Sequence, residues 1–196
     1  MARPRRNDNT RERLLDEGLK LFISQGYHGT GIKEVVDQVN VPKGSFYNYF
    51  ESKEHFGAEV IRHYSQCLAV NMSAQLKGPE DNAFVAIKQF FETEVQRHRE
   101  SKTGCLIGNL GAELGGSSEL CRQAMIEGLD SMKQQFSQTL KRGQSQNVIR
   151  DDISAEELAT FLVNAYEGAL LRMQLEQSVK PIEKMSSFLR SYLVCS

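Results

Sequence analysis

Asn40-Val41-Pro42-Lys43-Gly44-Ser45-Phe46-Tyr47-Asn48-Tyr49-Phe50, closed by Glu51-Ser52-Lys53, is the stretch that decides the fold. Proline at 42 cannot extend a preceding helix but suits the first turn of a new one. The spacing therefore predicts a helix that stops near Val39 and another that begins at Pro42 or Lys43. Upstream, Ile32, Val35, Val36 and Val39 recur at i, i+3, i+4 and i+7, the apolar stripe of a short amphipathic helix. Two such helices joined by about three residues form a helix-turn-helix.

Within the second helix Phe46 and Phe50 lie four apart on one face, which leaves Lys43, Ser45, Tyr47, Asn48 and Tyr49 largely outside it. A small helix that is cationic at its start and rich in outward hydrogen-bonding groups is what insertion into a DNA major groove requires. The run from Gly26-Tyr27 through Gly31-Ile32 and Val41 to Phe50, ending at Ser52-Lys53, resembles the DNA-binding signature of the TetR family of transcriptional regulators. That resemblance implies an all-helical homodimer of about nine helices, the last two packing against their mates as a four-helix bundle. It also implies base and phosphate contacts at Lys43, Gly44, Ser45, Tyr47 and Tyr49, with Lys53 opening the next helix. Asn48 belongs to the same exposed set, and Thr30 is placed as a helix cap and phosphate donor.

Bulk composition narrows the rest. The 196 residues suffice for one large or two modest domains, and four prolines with no tryptophan favour a mostly helical globular protein. A net charge of -1 excludes a protein that coats nucleic acid indiscriminately, so any basic footprint must be local. Arg3, Arg5, Arg6, Arg11 and Arg13 against Asp8 and Glu12 give five minus two, or +3, over residues 1–13. Residues 1–8 then read either as a solubilising tail or as a flexible basic arm on phosphate or the minor groove. No apolar run approaches the ~20 residues of a membrane span, and no signal-peptide core opens the chain, which predicts a soluble cytoplasmic protein. Cys67, Cys105, Cys121 and Cys195 have neither metal nor disulfide spacing, so neither a metal nor a cofactor is expected.

In chain order, Asn9 or Thr10 is expected to cap a first helix running to about Gln25, with Leu15, Leu19, Phe22 and Ile23 inward and Gly26 ending it. Ser52 caps the next, in which Phe56, Val60, Tyr64 and Leu68 keep a four-residue stride until Lys77-Gly78-Pro79. This division predicts a DNA-binding domain at 1–55 and a ligand-binding and dimerisation domain at 56–196. Phe84, Ile87, Phe91 and Val95 mark a helix expected to fray through Arg97-His98-Arg99, with His98 a solvated surface residue.

A second informative stretch, Gly104-Cys105-Leu106-Ile107-Gly108-Asn109-Leu110-Gly111-Ala112-Glu113-Leu114-Gly115-Gly116, holds five glycines in thirteen residues. At ~1 kcal/mol per glycine relative to alanine, a stable regular helix is not expected there. If the segment is helical, Cys105, Asn109 and Glu113 fall at i, i+4 and i+8 on one face. They read either as tight packing around a small apolar thiol or as the wall of a ligand pocket. Downstream, Met125, Leu129, Met132, Phe136 and Leu140 form a core stripe, and Ser154-Ala155-Glu156-Glu157 is a capping box. Tyr166, Glu167 and Arg172 are polar in an otherwise apolar helix, as a surface strip or as a second pocket wall. Gly104 to Leu110 and Tyr166 to Arg172 resemble the NemR/AcuR-type branch of the family, which responds to reactive electrophiles and to acrylate. That likeness implies a shared cysteine at Cys105 and a carboxylate partner at Arg172. The overall expectation is a non-enzymatic, ligand-responsive repressor binding double-stranded operator DNA and a small acidic or electrophilic effector, or modified covalently at Cys105. A cysteine-dependent enzyme is the remote alternative.

Overall fold

A computed structural model describes residues 6–78 and 82–194, the first three by backbone alone. Among these the chain is all-helical: α1 (Arg6–Gly29), α2 (Ile32–Val39), α3 (Lys43–Tyr47), α4 (Lys53–Lys77), α5 (Ala83–Glu100), α6 (Leu106–Leu114), α7 (Glu119–Ser145), α8 (Ala155–Glu176), α9 (Lys180–Ser187) and α10 (Leu189–Leu193). Only Phe188 separates α9 from α10, so the pair counts as the ninth helix of the expected set. Two compact units are present, residues up to Ser65 with Leu106–Gly128, and Gln66–Cys105 with Leu129–Ser196.

The first unit is built on an aromatic nucleus. Phe46 and Phe50 are both fully buried, and their rings lie 5.1 and 4.8 Å from Phe56. Phe22 meets Phe56 edge-on at 5.9 Å. Each such ring removed from water contributes roughly 1.5–3 kcal/mol, which holds the five-residue α3 against α1 and α4 although it is too short to be stable alone. Gly18 lets α1 approach closely, since a Cβ there would sit 2.4 Å from the Phe56 ring. The inward stripe of α1 is Leu14, Leu15 and Phe22, whereas Ile23 is 37% exposed, contrary to expectation. Asn9 and Thr10 lie inside α1 rather than at its cap, because the helix already begins at Arg6. Arg3 and Arg5 of the expected arm lie outside the described residues, and the backbone of Arg6 to Asp8 is helical. Gly26, at φ +75°, breaks the helix as its position predicts. Asn40 adopts the left-handed conformation at the end of α2, and Ser52 Oγ accepts from the His55 amide at 3.0 Å to open α4.

Glycine-rich α6 is a regular helix, contrary to expectation. Leu106, Ile107, Leu110 and Leu114 are all buried, and the burial of that stripe, part of it against α1, outweighs the glycine penalty.

In the second unit Phe91 stacks on Phe136 at 5.6 Å, Phe90 meets Phe136 edge-on, and Tyr166 closes the cluster 5.4 Å from Phe91. Asn82 caps α5, and the box at Ser154 forms as its sequence predicts, with Ser154 Oγ accepting from the Glu157 amide at 3.2 Å. Helix α5 does not fray at Arg97; it persists to Glu100. No helix among the described residues is long and apolar enough to cross a membrane.

Candidate nucleic-acid interface and ligand-responsive residues

Helix α3 turns Phe46 inward and everything else outward. Lys43, Gly44 and Asn48 are exposed, Tyr47 is half-exposed at 50%, and Ser45 and Tyr49 are partly covered. A Cβ at Gly44 would meet no atom within 4 Å and no positive φ demands glycine there, so neither packing nor backbone conformation within the chain calls for that residue. A bare backbone on an outward face suits close approach to an external surface. Thr30 is a correction: the residue capping α2 is Gly31, and Thr30 is 2% exposed with its hydroxyl donating to the Gly26 carbonyl at 2.8 Å. Burial removes its side chain from a DNA-facing surface.

Lys53 lies over the Tyr27 ring, Nζ 4.4 Å from the centroid. Burial lowers the pKa of its ammonium, and the nearby charge of Glu113 opposes that shift. Glu113 itself accepts from the His28 amide at 3.1 Å, its carboxylate resting on Gly26, where a Cβ would be 2.4 Å from Oε1. The carboxylate expected to wall a ligand pocket is therefore occupied inside the first unit, fastening α6 to the end of α1. Asn109 is half-buried on α6, and Cys105 immediately precedes that helix rather than lying within it.

A buried polar cluster that the sequence did not suggest occupies the second unit. Glu94 Oε2 accepts from the Tyr166 hydroxyl and from Arg97, through Nη2 and, at 3.2 Å, Nε. His98, 1% exposed, corrects the expected surface histidine. Its Nδ1 donates to the Ser101 carbonyl at 3.1 Å, and its Nε2 lies 3.1 Å from Arg97 Nη2 and 3.5 Å from the Tyr166 hydroxyl. A neutral imidazole protonated on Nδ1 satisfies that arrangement. Burial, followed by the charge of Arg97, lowers the pKa of His98. Burial and Glu94 push the Tyr166 phenol well above its ordinary value. For Arg97, burial works against the charge but the bonds to Glu94 prevail and raise its pKa.

The three polar residues of α8 do not form one wall. Tyr166 faces Glu94, whereas the Arg172 side chain is exposed and bonds to Glu176 at 2.8 Å. Six residues on a helix place them on well-separated faces. Arg172 instead borders an open groove of about 340 Å³ with Lys180, Lys184, Met185 and Phe188. Glu167 takes a third direction: the residue is half-buried and interacts with the Cys105 thiol, and its Oε1 is buried with no hydrogen-bond partner among the described residues. Its pKa is raised by burial, with the Cys105 bond pulling the other way.

The sequence matches two family profiles, "Bacterial regulatory proteins, tetR family" over residues 14–60 and "Tetracyclin repressor-like, C-terminal domain" over 84–189. It is 31% identical over 174 residues to the HTH-type transcriptional repressor DhaR of Mycobacterium sp. strain GP1, covering 89% of this chain and 87% of that one. It is 30% identical to the transcriptional regulator AcuR of Cereibacter sphaeroides, covering 91% and 81%. The crystal structure of the reduced form of E. coli NemR superposes with a TM-score of 0.89 at 28% identity, covering 96% of this chain and 98% of that one.

Proposed function

Because the chain belongs to the TetR family of bacterial regulatory proteins, we propose that it is a homodimeric repressor released from operator DNA by a small effector. The observation that carries this reading is the sorting of α3, with Phe46 sealed in the core while Lys43, Gly44, Tyr47 and Asn48 lie open on one short helix. Lys43 supplies a phosphate contact, Tyr47 and Asn48 polar groups for base edges or the backbone, and Gly44 the room for close approach. Residues 1–55 act as the reading part and 56–196 as the effector and dimer part. DhaR and NemR are both named transcriptional repressors, which favours repression over activation.

Dimerisation is supported by apolar side chains left open on α8 and beside α9. Phe161 is 51% exposed and stacked on Tyr192 at 4.2 Å, Leu171 and Phe188 are each 58% exposed, and Leu175 is 76% exposed. Patches of this kind mark association surfaces.

Of the two effector chemistries, the covalent one is favoured. Arg172 is paired with Glu176 and turned away from Tyr166, whereas Cys105 is buried against a carboxylate that holds no other partner on Oε1. The test is an operator titration at fixed salt. Lys43→Ala and Tyr47→Ala should each weaken binding by roughly tenfold or more, at ~1–3 kcal/mol per lost contact, with the dimer intact. Cys105→Ser should keep operator affinity and lose release by electrophiles. Wild-type affinity in both α3 variants would remove α3 from the interface.

A further inference from the structure

Two arginines of the basic segment lie near the start of α1, and both reach back onto the first unit. Arg13 Nη2 donates to the Val39 carbonyl at 2.7 Å. Arg11 pairs with Glu59 of α4 and holds its guanidinium 5.6 Å from the centre of the Phe50 ring. One contact is made on the turn before α3 and the other on the ring after it.

Val39 ends α2, and the last carbonyls of a helix have no partner within it. The amides of Asn40 and Val41 turn back to the Asp37 and Val36 carbonyls, so neither serves Val39. Arg13 supplies that bond, and its charge suits the negative end of the α2 dipole. Asn40 then adopts φ +57°, and Pro42, which has no amide hydrogen to donate, precedes α3 without a side-chain cap bond. A five-residue helix takes its direction from its supports rather than from its own hydrogen bonds. Buried Phe46 and Phe50 tie down the middle and the far end of α3. The turn that Arg13 anchors supports the near end, where Lys43 and Gly44 stand exposed.

We infer that Arg13 is a positioning residue for operator recognition, aiming the N-terminal end of α3 through the Val39 carbonyl without itself touching DNA. The inference rests on the reading of α3 as the DNA-facing helix. Base readout requires side chains held within about 0.5 Å of their productive places, whereas phosphate contacts carry no sequence information. Loosening the turn therefore costs sequence preference and leaves non-specific affinity in place.

The experiment uses the full-length protein and two duplexes of equal length, one selected by it from a random pool and one a scramble of that sequence. Affinities for both are measured across a salt series for the wild type, Arg13→Ala, Arg13→Lys, Lys43→Ala and Tyr47→Ala. Arg13→Ala should lose about tenfold on the selected duplex and less than about twofold on the scramble, with the slope of log K against log salt unchanged on both. Arg13→Lys keeps one long donor for the carbonyl and should recover most of the selected affinity. Lys43→Ala should weaken both duplexes and flatten the slope by ~0.9 per lost phosphate contact, or ~1.8 for a dimer. A parallel loss on both duplexes with a flatter slope would make Arg13 a phosphate contact and overturn the inference. A lower melting temperature with the ratio of the two affinities unchanged overturns it too, since a merely structural bond gives that result. Should Arg13→Ala not fold, Arg13→Gln is read in the same way. If Lys43→Ala and Tyr47→Ala both bind the selected duplex as the wild type does, the reading of α3 fails and the inference with it. If they weaken while Arg13→Ala does not, the inference alone fails.

Discussion

Replacing Tyr166 by phenylalanine removes one oxygen from the interior of the second unit and almost nothing else. The ring remains where it packs, 5.4 Å from Phe91 and 6.4 Å from Phe90, so the apolar contribution is preserved. What disappears is the hydroxyl donor to Glu94, a carboxylate that is 5% exposed and has little water to take its place. A hydrogen bond to a buried charged group contributes roughly 1.5–3 kcal/mol. For a chain of this length each kcal/mol lowers the melting temperature by about 2–4 °C, which predicts a fall of about 3–12 °C in Tyr166→Phe. Glu94→Leu removes the other partner and its charge together. Because the two residues share one bond, the double variant should lose less than the two single losses combined, by about 0.5–3 kcal/mol. Calorimetry on the four proteins gives the comparison. A Tyr166→Phe loss below ~0.5 kcal/mol, or strictly additive losses, would show that the hydroxyl does not hold the carboxylate and would refute the reasoning.

Burial lowers the pKa of His98 in the folded chain, so the unfolded chain binds the extra proton as pH falls; this stabilisation is present in full above the unfolded pKa of ~6.5 and is lost as pH falls through the folded value. Wild-type stability in that window should fall more steeply than that of His98→Gln, by at most ~1.4 kcal/mol per pH unit for one proton, and equal slopes in denaturant titrations would exclude a buried neutral imidazole. Glu113→Ala should raise hydrogen exchange at the His28 amide and cost about 0.5–1.5 kcal/mol, with unchanged exchange counting against the contact. Leu175→Asp places a charge on the most exposed apolar residue of α8 and should shift the dimer towards monomer in sedimentation; an unchanged assembly would move the interface elsewhere.

The helix-turn-helix was legible because its determinants are local. Pro42 sets a boundary by its own chemistry, and Phe46 with Phe50 declares a buried face within one turn. Thr30 misled because cap preference is statistical, and in this chain glycine took the position while the threonine side chain turned inward. The glycine-rich segment misled in the other direction: propensity disfavours a helix, but four buried aliphatic residues in nine override it.

The polar interior was not legible for a reason that lies in distance along the chain. Glu94 and His98 stand four apart amid Arg97, Arg99 and Glu100, a pattern that reads as a solvated helix end. Nothing nearby supplies their partner, because the Tyr166 hydroxyl comes from 72 residues downstream of Glu94. Sequence did hold one signal, since Glu94 continues the face of Phe90 and Phe91 at i+4 and i+3, and a charge on an apolar stripe must find a partner or stay unionised. Cys105 and Glu167 pose the same problem across 62 residues, and neither residue type announces the other. Local spacing could assign Glu113 and Arg172 to one pocket only by assuming that polar residues in apolar helices converge. In the folded chain Tyr166, Glu167 and Arg172 point to three different environments, an ion-paired core, a thiol and solvent. Helical periodicity of 100° per residue already separates their directions, so the three could not have shared one wall.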